Sequence, residues 1–132
     1  MAVGDKINHI IIEDGYTSTD DVGNILCSYT LPASGLDRLI VIEAWAAGAR
    51  DNNTTKYYRE IRAVIVDDDG NSLEISPIGE VVKMDGGTAF DATISIANEP
   101  NIDLVVTGHA TQNVHWYGQL SIHIIETDYT GA

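Results

Sequence analysis

Basic residues are scarce. Seven Lys and Arg stand against twenty Asp and Glu, so the 132-residue chain carries a formal charge of −13. A surface of that sign repels phosphate backbones and anionic headgroups, so neither nucleic acid nor a membrane is an expected partner. Cysteine is nearly absent. Cys27 alone cannot form an intrachain disulfide, which fits folding in a reducing cytoplasm. A single thiol on an apolar strand reads as a small core residue. Long apolar runs are missing too: stretches such as Leu39 to Ile42 fall far short of a bilayer's thickness. Met1 to Lys6 shows no basic stretch leading into an apolar one, so no secretory signal is expected. No segment keeps a 3.6-residue apolar period over the length of a helix.

What the sequence has is aliphatic alternation. Apolar residues make up 44% of the chain, enough for a chain of this size to fold around its own core without metal or disulfide. Phe90, Ala92, Ile94 and Ile96 alternate with Asp91, Thr93, Ser95 and Ala97. Ile102, Leu104 and Val106 alternate with Asp103, Val105 and Thr107, and Val114, Trp116, Leu120, Ile122 and Ile124 with His115, Tyr117, Gln119, Ser121 and His123. A period of two predicts half-buried antiparallel strands. Strands are expected near 7–13, 22–31, 37–48, 56–67, 72–76, 80–84, 88–98, 101–108 and 113–126. Turns are expected at Asp67 to Asn71, Gly86-Gly87, Asn98 to Asn101 and Gly108 to Asn113, with an exposed loop from Gly48 to Thr55. Leu39 to Ala47 is partly apolar on both faces, as in a central strand or one covered by a partner. The fold class expected is all-β: an antiparallel, jelly-roll-like sandwich of about nine short strands with no substantial helix, in one domain over residues 1–132. Residues 1–6 and 128–132 are expected to be flexible or partner-contacting ends, and Met1 to Asn8 a docking arm.

Patterns that carry chemistry are weak. Registered on Gly70, an EF-hand loop would begin at Ile65 and end at Ser76, neither of them a carboxylate, so Asp67 to Asn71 reads as a hairpin turn. His115 and His123 share a face, but their eight-residue separation spans roughly 26 Å of strand, too far for one metal ion. Gly-x-Ser-x-Gly, phosphate-loop and dinucleotide patterns are absent. The expectation is no enzyme, no cofactor and no metal. The residues singled out are aromatic and polar ones suited to an interface: Trp45, Tyr57, Tyr58, His115, Tyr117 and Gln119. Trp116 reads as core.

The order of elements over about residues 37–126 resembles small structural modules of tailed-bacteriophage virions. Its pieces are Ala44-Trp45-Ala46-Ala47, Tyr58 to Val66, Asp68-Asp69-Gly70-Asn71, Ile78-Gly79 and Ala92 to Ile96. They continue with Leu104-Val105-Val106-Thr107-Gly108 and His115-Trp116-Tyr117-Gly118-Gln119-Leu120. The resemblance implies a virion protein made in the bacterial cytoplasm, with Gly108 and Gly118 permitting a sharp reversal and close backbone approach. Its first implication is a head decoration or cement protein that binds the major capsid protein, associates as a homotrimer and stabilises the shell. An alternative is a tail, baseplate or fibre module that binds host-surface glycans, with outward aromatics such as Tyr117 stacking on sugars. A further alternative is a polysaccharide hydrolase working through paired carboxylates. Such modules often sit within longer chains, and a free-standing component is the expectation for this one.

Overall fold

The computed structural model describes residues 6–33, 37–51, 56–67, 73–84, 90–110 and 112–127. The alternating segments fold into eight strands: β1 (Lys6–Ser18), β2 (Gly23–Thr30), β3 (Asp37–Arg50), β4 (Lys56–Asp67), β5 (Leu73–Met84), β6 (Asp91–Ser95), β7 (Asn101–Thr107) and β8 (Val114–Thr127). They form a five-stranded sheet in the order β1-β8-β3-β4-β5 and a three-stranded sheet in the order β2-β7-β6. Every pairing is antiparallel. Placing β1 beside β8 and β2 beside β7 nests the two ends of the chain within one another, as in a jelly roll. From β3 the chain runs on as a β3-β4-β5 meander.

The core lies between the sheets. β8 contributes Val114, Trp116, Leu120, Ile122 and Ile124; β3 contributes Ile40, Ile42, Ala44 and Ala46; β4 contributes Tyr57, Ile61, Ala63 and Ile65. The smaller sheet answers with Leu26, Cys27, Ala92, Ile102, Leu104 and Val106. Removing these side chains from water is the main favourable term in folding. Trp116, 1% exposed, fills one end. Its Nε1 donates to Ser18 Oγ at 3.1 Å, and the rings of Tyr57 and Phe90 stand edge-on to it at 5.7 and 6.0 Å. Gly48 lies beneath the indole, where a Cβ would come within 2.8 Å of ring carbon. Arg59 reaches from β4 to β6, donating to Asp91 Oδ1 at 2.6 Å and to the Ala92 carbonyl at 2.9 Å, which ties the sheets along one edge.

The all-β sandwich and its inward-facing residues agree with the sequence pattern; several boundaries differ. The runs expected at 72–76 and 80–84 are one strand, β5. Its pairing with β4 slips opposite Tyr58/Arg59 and Arg62/Ala63, and Pro77 sits at the second slip, where a missing N–H is tolerated. β1 does not stop at Glu13 but continues through Asp14-Gly15 to Ser18. Gly48 to Arg50 belongs to β3 rather than to a loop. Gly118 lies inside β8 and permits close approach rather than reversal: a Cβ there would come within 2.5 Å of Leu26 and 2.8 Å of the Trp45 carbonyl. Lys6 to Asn8, part of the segment expected as a docking arm, lie in β1 and pair with Ile124 to Glu126. The Asn98–Asn101 turn is present, closed by Asn101 N donating to Asn98 O at 2.9 Å, with Glu99-Pro100 cis. The turns expected at Asp68 to Asn71 and at Gly86-Gly87 lie outside the described residues.

Candidate functional site

One face of the five-stranded sheet covers the core; the other faces away from it. The register sets its side chains in rows across the strands. One row runs Glu13, Gln119, Trp45, Glu60; the next Gly15, Tyr117, Ala47, Tyr58; a third Ile11, Ser121, Glu43, Arg62. Neighbours along a row are close enough to touch. Of the six residues singled out in the sequence, Trp45, Tyr58, His115, Tyr117 and Gln119 come together here. Tyr57 does not: it is 4% exposed, turned inward against Phe90 and Trp116. It is therefore withdrawn as an interface residue, because adjacent residues on a strand point to opposite faces.

The aromatics are held in place. Trp45 stacks on Tyr58 with centroids 6.2 Å apart and planes 23° from parallel. The Tyr58 hydroxyl donates to Glu60 Oε1 at 2.9 Å; burial, and then the neighbouring Glu60 carboxylate, push this phenol's pKa up. Tyr117 is 65% exposed, and its ring packs over Gly15, where a Cβ would meet it at 3.1 Å. Gln119 Nε2 donates to Glu13 Oε1 at 2.8 Å. Between these groups lies a shallow open depression of about 190 Å³ lined by Glu43, Trp45, Glu60, Arg62, Gln119 and Ser121. Apolar ring faces beside carboxylates, an amide and a hydroxyl are the equipment for a ligand with apolar faces and hydroxyl edges.

At one end of this face His115 pairs with Asp51. The carboxylate can only accept, so His115 Nε2 donates to it, while Nδ1 is hydrogen-bonded to the Thr17 hydroxyl, 3.1 Å away. Asn113 adds a bond from Nδ2 to Asp51 Oδ2 at 3.1 Å, and Asp51 N donates to the Asn113 carbonyl at 3.1 Å. The hydrogen bond from His115, and then that from Asn113, hold the Asp51 carboxyl below its ordinary pKa. We read the group as a clasp that fastens the Asp51 turn to β1 and β8. His9 and His123, opposite one another in β1 and β8, stack at 4.0 Å. Their proximity was invisible in a sequence that separates them by more than a hundred residues. Among the described residues no three His, Cys, Asp or Glu side chains converge to hold a metal ion.

No protein-family model matches the chain, and no curated protein matches it. Solved structures do. The tailspike protein of Acinetobacter baumannii phage AM24 superposes with a TM-score of 0.56 at 12% identity, over 96% of this chain and 27% of that one. A second match, the tailspike protein of Acinetobacter phage vB_ApiP_P1, has 17% identity and a TM-score of 0.29 over 92% of this chain and 21% of that one. This chain thus spans about a quarter of the AM24 tailspike's length, and the fold of its β-sandwich is shared with a segment of that phage protein.

Proposed function

We propose that the chain is a structural module of a phage virion, carried on the tail, that binds host-surface glycans through the outer face of its five-stranded sheet. The observation that carries this reading is the grouping of Trp45, Tyr58 and Tyr117 with Gln119, Ser121, Glu43 and Glu60 on one open surface. Tyrosine and tryptophan offer rigid apolar area at low entropic cost, and the polar groups orient what lies on it. The fold shared with a tailspike segment supports placement on the tail. No comparable observation favours the head, so tail attachment replaces head decoration as our reading. Binding without cleavage is also part of the proposal.

The test is titration of the protein with envelope oligosaccharides of the host while following tryptophan fluorescence. Trp116 is buried in the core, so a ligand-dependent change reports Trp45. The expected result is a saturable change whose Kd Tyr117→Ala raises by about two- to tenfold, in line with about 0.5–1.5 kcal/mol for a stacking aromatic. No response across a broad panel would remove the reading, and release of reducing ends would replace binding by hydrolysis. Quantitative mass spectrometry of virions addresses location: a few copies per particle places the protein on the tail, whereas a count near that of the major capsid protein restores the head.

A further inference from the structure

Resting on the glycan-binding reading above, we infer that the ligand is a neutral glycan, one without carboxylate, sulfate or phosphate groups. Around the aromatic groups the face carries Glu13, Glu43 and Glu60, with Asp51 beyond them, and among the described Lys and Arg residues only Arg62 and Lys56 oppose these four carboxylates. Glu43 and Glu60 border the depression beside Trp45 itself. The whole chain carries a formal charge of −13. A polyanion approaching this surface meets like charge at contact range, where screening is weakest, and again from the molecule as a whole. A neutral sugar meets none of this. Its hydroxyls donate to carboxylates in charge-assisted hydrogen bonds, the Gln119 amide and Ser121 hydroxyl add neutral polar contacts, and its apolar ring face lies on Trp45 or Tyr117. Tyr58 and Tyr117 flank Ala47 from strands on either side of β3, about 9–10 Å apart in strand spacing. That gap leaves room for more than one sugar ring laid across the strands.

The experiment uses the whole chain against two immobilised sets of glycans. The neutral set contains oligomers of glucose, galactose and N-acetylglucosamine; the anionic set contains polyuronate, polysialate and a polyol phosphate. Both are read at low and high salt. The expected result is binding confined to the neutral set and changed less than about twofold by salt, since no net charge is neutralised. The paired substitution Glu43→Gln with Glu60→Gln, in a variant whose melting is unchanged, is expected to weaken neutral binding and relax the exclusion of anions. Binding to the anionic set, weakened by Arg62→Gln and by salt, would overturn the inference while leaving the glycan-binding reading intact. Binding to neither set would overturn the reading on which it rests.

Discussion

Removing the indole of Trp116 leaves a void among Tyr57, Phe90 and Gly48 and strips Ser18 of its donor. Trp116→Ala is therefore expected to cost about 3–5 kcal/mol, the range for emptying a large aromatic site, measured by denaturant unfolding. The opposite change, Gly48→Ala, pushes a methyl into the ring face; overpacking of this kind costs about 1–3 kcal/mol, more than the helpful strand propensity of alanine returns. Cys27 is buried, and burial first, then the charge of Asp14, push its thiol pKa up to about 11. Native protein at neutral pH is expected to ignore a thiol reagent that labels the unfolded chain at once. The Asp51 clasp gives a pH dependence. Its carboxyl is held below the ordinary value in the folded state, so its contribution is complete above the unfolded pKa and disappears as pH falls through the folded one. Melting temperature across that acid range should fall less steeply in Asp51→Asn than in the parent.

Strands showed different degrees of legibility. β8 was readable almost residue by residue, because its inward positions from Val114 to Ile124 are all apolar apart from Gly118 and its outward positions nearly all polar. β1 was cut short because Asp14-Gly15 is a turn signal by local chemistry. What overrides that signal is tertiary: Tyr117, directly opposite on β8, covers Gly15 with its ring. A similar override extends β3 through Gly48, held under Trp116. The candidate site was half legible. Its aromatic residues could be named, but their common surface depends on the order β8-β3-β4, which no spacing along the chain reveals. Tyr57 and Tyr58 look equivalent in sequence, and only strand parity separates core from surface. Gly15→Ala tests the pairing with Tyr117. Alanine gains about 0.5–1 kcal/mol over glycine in a strand, which offsets the crowding at 3.1 Å. Stability should barely move, while the Tyr117 ring shifts and glycan affinity falls.

The molecule as a whole is an acidic sandwich with one sheet face closed by the smaller sheet and the other carrying aromatics and carboxylates. Composition alone argued against phosphate-rich partners, and the structure shows where the charge sits relative to the rings. The fold is shared with a segment of a phage tailspike, while the proposed ligand is argued from the face itself. The most direct test of that face is an amide-resolved NMR titration of the isotopically labelled chain with a neutral oligosaccharide that it binds. The account predicts that the largest shifts gather on β3, β4 and β8 around Trp45, Tyr58, Tyr117 and Gln119, and that the β2-β7-β6 sheet stays still. Shifts centred on the smaller sheet or on the loops, with the Trp45 and Tyr117 signals unmoved, would contradict it.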